Sequence, residues 1–151
     1  MAGKGVLLVC GAGDALLGDL GFGSVVAREM KARPEPGIAA LDLGPSPRPR
    51  LENVIDAGYS GAVLVTALDM GKPGGTVEVV TMKALRSMLA GSGGTRLGML
   101  AGYLDSIYGG GASAIAVQPA DIRPGRGLSP VCAGAVQVVR EILRGMASGR
   151  L

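Results

Sequence analysis

Val6-Leu7-Leu8-Val9-Cys10 is an unbroken apolar run, the pattern of a central strand covered on both faces. The period then changes. Phe22, Val25, Val26 and Met30 recur at helical spacing, with Arg28 and Lys31 on the other side. Residues 38–43 form a second apolar run, closed by the stiff turn Gly44-Pro45-Ser46-Pro47-Arg48-Pro49. Leu51, Val54 and Ile55 predict a short helix that stops at Gly58, and residues 61–67 predict a third buried strand. After the turn Lys72-Pro73-Gly74-Gly75, residues 76–80 alternate like a fourth strand. Thr81 is placed to cap a helix with Leu85, Met88 and Leu89 inward. Gly91-Ser92-Gly93-Gly94 breaks the pattern before Leu97, Leu100, Leu104 and Ile107 start another helical stripe. Residues 113–117 predict a fifth strand. Ser129-Pro130 then opens the last helix as a cap followed by a first-position proline. Its inward stripe reads as Val131, Ala135, Val138, Val139, Ile142 and Met146, with Arg140, Glu141 and Arg144 outside.

Strands alternating with helices predict an α/β fold: a three-layer sandwich with a five-stranded, largely parallel sheet and helices on both faces. Residues 1–151 read as one domain, with no linker or internal repeat. Right-handed crossovers place any site at the carboxyl ends of the strands. The segments leaving those ends are 11–23, 42–45, 66–75 and 118 onward.

Composition narrows the function classes. With 48% hydrophobic and 18% charged residues the chain is globular in character. Only 3% is aromatic, so the core is built from Val, Leu, Ala, Ile and Met. A net charge of +3, with basic residues scattered along the chain, gives nucleic-acid binding little support. The apolar run behind Lys4 ends after five residues in glycines, too short for a secretory or membrane segment, so a cytoplasmic location with no membrane partner is expected. Cys10 and Cys132 lie in apolar contexts and read as buried thiols, with a disulfide left open. There is no histidine; the commonest general base is therefore missing.

The stretch Gly11-Ala12-Gly13-Asp14-Ala15-Leu16-Leu17-Gly18-Asp19-Leu20-Gly21-Phe22-Gly23 reads as strand, glycine-rich turn and helix. Glycine permits backbone angles and close approaches that a side chain would block, and the new helix would present free amides above the turn. A dinucleotide fingerprint fits poorly. Its third glycine would fall at Leu16, and the acidic residue for a ribose could only be Asp42, which lies too far on. No Gly-Lys-Ser/Thr is present, which excludes a P-loop.

Taken together, several pieces are more specific. The stretch 11–23 resembles the opening signature of the hydrogenase maturation endopeptidases, roughly Gly-x-Gly-Asn-x-Leu-x-x-Asp-(Asp/Glu)-Gly-x-Gly. Leu64-Val65-Thr66-Ala67, followed by Pro73-Gly74-Gly75-Thr76-Val77, is similar to the family's Val-Val-Asp-Ala and Pro-Gly-Thr-Val. Val117-Gln118-Pro119-Ala120-Asp121-Ile122 through Gly127-Leu128-Ser129-Pro130 resembles its closing motif. Asp42 and Gly44 match the family's Asp-x-Gly-Thr turn, with Pro45 in place of the threonine. The order and spacing agree over nearly the whole chain.

The resemblance implies a protein that clips a C-terminal extension from the large subunit of nickel–iron hydrogenases once nickel is installed. It also implies a metal held by an acidic residue, an Asp and a His. Those three positions fall here at Leu20, Thr66 and Thr95. Leucine offers no lone pair, and a threonine hydroxyl is a poor ligand for a nickel- or zinc-like ion. Neither Asp19, one residue off, nor Asp69, three residues beyond Thr66, is expected to rebuild the site, so no metal ligands and no cofactor are assigned.

Three function classes follow. The leading one is a relative without metal-dependent peptidase activity that binds a hydrogenase-type large subunit or another maturation factor. The second is an active endopeptidase that uses nickel carried by its substrate, with Asp19 or Asp42 as base. The third is a small-molecule or nucleotide binding module. Candidate catalytic groups are Asp19 and Asp42; candidate binding positions are Gly11, Gly13, Asp14, Gly44, Thr66 and Thr95. Each has a plainer reading. Asp14 and Asp19 suit turns and caps, Asp42 can bond nearby amides, and Arg123 and Arg126 face solvent or an acidic partner.

Overall fold

The computed structural model describes residues 5–45, 58–90 and 95–149. The helix expected around Leu51, Val54 and Ile55, and the break at 91–94, lie outside the described residues. Five strands form one sheet: β1 (Leu7–Ala12), β2 (Ile38–Gly44), β3 (Gly61–Ala67), β4 (Val77–Thr81) and β5 (Ala112–Val117), in the order β2-β1-β3-β5-β4. All neighbours are parallel except β4, which runs antiparallel to β5 at one edge. Among the described residues four α-helices cover the sheet: α1 (Phe22–Ala32), α2 (Met82–Leu89), α3 (Thr95–Tyr108) and α4 (Pro130–Ala147).

Alternation along each strand divides the core into two layers. Val9, Val63, Val65, Ile115 and Val117 face α1 and α4, which contribute Phe22, Val26, Met30, Cys132, Ala135, Val139 and Leu143. Leu8, Cys10, Leu64 and Ala114 face the other way, toward Met82, Leu85 and Leu89 of α2 and Leu100 and Leu104 of α3. Helices on both faces explain why the strands read as continuous apolar runs. Thr81 caps α2 by accepting from the Ala84 N–H at 3.0 Å, and Ser129 caps α4 by accepting from Cys132 N–H at 3.4 Å.

The stripe of α4 differs from its sequence reading. Val131 and Val138 are about half exposed, while Cys132 and Leu143 are fully buried. Arg140, expected outside, is 5% exposed. Its guanidinium pairs with Glu35 at 3.3 Å, and Arg144 pairs with the same carboxylate at 2.8 Å. A buried arginine needs such a partner, and Glu35 supplies it from the loop after α1. Cys10 and Cys132 are both free and sit in opposite layers of the core, so the sheet separates them and no disulfide joins them. Among the described residues no helix is long and apolar enough to cross a membrane.

Candidate functional site

A bulge in the β1–β2 ladder starts the site. Gly11 pairs with Asp42, but Ala12 pairs with Gly44, so Leu43 is skipped. Gly44 sits at φ +63°, a left-handed angle that glycine tolerates. Its N–H donates to Asp42 Oδ1 at 3.0 Å, and its carbonyl accepts from the Gly13 N–H at 3.1 Å. The chain then doubles back: Asp14 N–H donates to the Leu20 carbonyl at 3.1 Å, and a 3-10 turn spans Gly18–Gly21.

The glycines of this stretch are there for contact distance. A Cβ on Gly11 would meet the Gly23 carbonyl oxygen at 2.0 Å, and one on Gly13 would meet the Leu20 carbonyl oxygen at 2.2 Å. Gly11 is buried within β1 against the first turn of α1 and is not part of the cleft at the carboxyl ends of the strands. Gly13 is.

A cleft of about 230 Å³ opens at the carboxyl ends of β1, β2 and β3. Ala12, Gly13 and Asp14 line it from the end of β1, and Leu20 from the 3-10 turn. Gly44 and Pro45 contribute from β2, Thr66 and Ala67 from β3, and Arg96 and Leu97 from the first turn of α3. Leu20, Thr66 and the segment that begins at Thr95, three places far apart in sequence, therefore converge on one space. Gly13, Asp14 and Gly44 join them.

The carboxylates singled out from sequence have other partners. Asp19 is fully buried and lies outside the cleft lining. One oxygen accepts from the Ser129 N–H at 2.7 Å; the other accepts from the N–H groups of Ala120 and Asp121 and from the Ser129 hydroxyl, each at 2.8 Å. Burial pushes its pKa up, but those four donors outweigh it and hold the carboxyl below the usual 3.8. Nor does Asp19 cap α1, whose N-cap is Gly21 without a side-chain bond. Asp19 ties the 3-10 turn to the start of α4.

Asp42 points toward α1, where Arg28 Nε donates to Oδ2 at 2.9 Å. Burial raises its pKa, and hydrogen bonds from Ser24, Arg28 and the Gly44 N–H bring it below the usual value. Asp69 accepts from the Gly71 N–H and from Gln118 Nε2, both at 3.0 Å. Asp14 is the one carboxylate lining the cleft, and its Oδ1 accepts from the Leu16 N–H at 3.0 Å.

These donors do not fit a nickel- or zinc-type ion. Among the described residues the cleft offers one carboxylate, which accepts a hydrogen bond, and one threonine hydroxyl, with an arginine also in the lining. Among the described residues no three His, Cys, Asp or Glu side chains form a cluster that could hold a metal. A cysteine nucleophile fits no better, since burial pushes the Cys10 thiol up to about 12.

The geometry has relatives. A protein of Methanocaldococcus jannaschii named "Putative hydrogenase maturation protease" is 27% identical over 147 residues, spanning 92% of this chain and 94% of that protein. The solution structure of the endopeptidase HycI from Escherichia coli superposes with a TM-score of 0.82 at 20% identity, covering 93% of this chain and 90% of that one. The chain has the hydrogenase maturation protease fold. The crystal structure of the [NiFe] hydrogenase maturation protease HycI from Thermococcus kodakarensis agrees, with a TM-score of 0.76 at 21% identity over 96% of this chain and 94% of that one. No protein-family model matches the chain. Within this hydrogenase maturation protease fold, the cleft holds Leu20 and Thr66 where the family resemblance placed two acidic ligands.

Sequence reasoning missed Arg96 and Leu97 as lining residues. Arg96 was visible beside Thr95, and a cation next to a position expected to hold a metal ligand was the signal that could have found it.

Proposed function

We propose that this chain is a hydrogenase-maturation-protease-like protein that has lost metal-dependent peptidase activity and acts by binding a hydrogenase-type large subunit or another maturation factor. The lining of the cleft carries this reading. Among the described residues of the lining, Leu20 and Thr66 offer a cation a hydrocarbon and a neutral hydroxyl, and Arg96 also lines it. The two carboxylates singled out as candidate bases are committed elsewhere: Asp19 to the start of α4 and Asp42 to Arg28 and Gly44.

Size-exclusion chromatography of the purified protein with a nickel-loaded precursor large subunit tests the binding step. Co-elution as a stable complex is expected. Separate elution of the two proteins at micromolar concentrations would remove the large subunit as the partner.

A further inference from the structure

β4 stands last in the strand order, and among the described residues no strand pairs with its outer side. In an antiparallel ladder, opposed residues alternate between pairs that exchange hydrogen bonds and pairs that do not. The Gln118 N–H donates to the Thr76 carbonyl at 2.8 Å. In the register Val77↔Val117, Val79↔Ile115 and Thr81↔Ser113, the β4 residues that bond to β5 are therefore Glu78 and Val80. The N–H groups of Val77, Val79 and Thr81 and the carbonyls of Val77 and Val79 point out of the sheet. The Thr81 carbonyl belongs to the first turn of α2, which Thr81 caps.

Edge strands are usually blunted by proline, lysine or a bulge. β2, at the opposite edge, ends in the bulge at Gly44. β4 reads Val-Glu-Val-Val-Thr and keeps its register with β5 without a break. Its charged residue, Glu78, is paired with Lys72 and lies on the other face from Val79. We propose that this edge binds a second copy of the chain, β4 against β4 across a two-fold axis at Val79. Two five-stranded sheets then become one continuous sheet.

Self-complementarity selects a second copy. With Val79 opposite Val79, each Val79 N–H donates to the other copy's Val79 carbonyl. Each Thr81 N–H donates to the Val77 carbonyl across the join, and the Val77 N–H at the strand end stays in solvent. Glu78 falls opposite Val80, so like charges do not meet. The face that carries Val79 is apolar beyond the strand. Val131 of α4 stands over Gly75, where an added Cβ would lie 3.0 Å from its own Cβ, and Val138 follows two turns later on the same flank. Val79, Val131 and Val138 are each about half exposed. No residue of β4 or α4 lines the cleft, so each copy keeps its cleft open.

Sedimentation equilibrium of the full chain from about 5 to 500 µM tests the join. A monomer–dimer equilibrium with half-association between about 10 and 100 µM is expected. Val79→Lys and Val79→Glu should each weaken it at least about tenfold, because like charges then face each other, and an equimolar mixture of the two should restore it. Circular dichroism checks that both variants, changed at a half-exposed position, are folded. In the unaltered chain, NMR hydrogen exchange should show the Val79 and Thr81 N–H groups protected at high concentration and open at low concentration. A monomer throughout the range, association undiminished in both variants, or variants that fail to associate when mixed would overturn the proposal. Protection of the Val79 N–H only in a complex with another protein would overturn it too.

Discussion

Four donors converge on the Asp19 carboxylate, and that single side chain holds together segments more than a hundred residues apart. Replacing it with Asn puts an amide against backbone N–H groups and leaves buried donors unsatisfied. Asp19→Asn should therefore cost about 2–4 kcal/mol in chemical denaturation. The pH profile follows from the same contacts. Because the folded pKa is held below 3.8, the carboxylate contributes stability above its unfolded value, and that contribution is lost as pH falls through the folded one. Stability should drop below about pH 4, with a shallower acid limb in Asp19→Asn. Asp42 contrasts with it. Its partner Arg28 is 61% exposed at the side chain, so solvent screens the pair; Asp42→Ala should cost about 1–2 kcal/mol, mostly through the Gly44 N–H that loses its acceptor. The bonding of Asp42 to a nearby amide was legible locally; the role of Asp19 was not. Asp19 and Leu20 are adjacent, yet one points into the protein and the other into the cleft, and only the doubling back of the chain after Gly13 decides which.

At the scale of elements, strands were the most legible because burial on both faces leaves no polar interruption. Helix faces were less so. In α4 too many apolar positions compete, and the sheet selects Cys132, Ala135, Val139 and Leu143 while Glu35 draws Arg140 inward. Glycine was the other ambiguity, since the letter alone does not separate a close approach from an idle position. Gly23 opens α1 directly over the sheet, where a Cβ would stand 2.2 Å from the Val65 carbonyl oxygen and 2.4 Å from that of Ala12. Both obstacles are backbone, so Gly23→Ala should destabilise by about 2–3 kcal/mol or more. Gly98 in α3 and Gly134 in α4 have nothing within 4 Å of an added Cβ. Alanine there should raise stability by roughly 0.5–1 kcal/mol each, through helix propensity. Thermal or urea unfolding of the three variants, read together, checks the contrast.

For the whole molecule, the order of elements and the position of the cleft followed from rules of chain topology. Right-handed crossovers bring the ends of β1, β2 and β3 together whatever side chains they carry. That is why the segments 11–23, 42–45 and 66–75 could be placed at one site from sequence, with Leu20 and Thr66 picked out by the family resemblance, while the contribution of Arg96 depended on how α3 enters. The fold has kept its frame: the glycine contacts, the bulge at Gly44 and the Asp19 clamp are all in place. The enclosed space is lined in part by Leu20 and Thr66, and the proposed reading of that lining is holding a chain, not cutting one. The most direct test is intact-mass spectrometry of a nickel-loaded precursor large subunit incubated with this protein over time. The account predicts a precursor of unchanged mass. A specific C-terminal truncation that appears only with this protein, and disappears in Asp42→Ala, would contradict it.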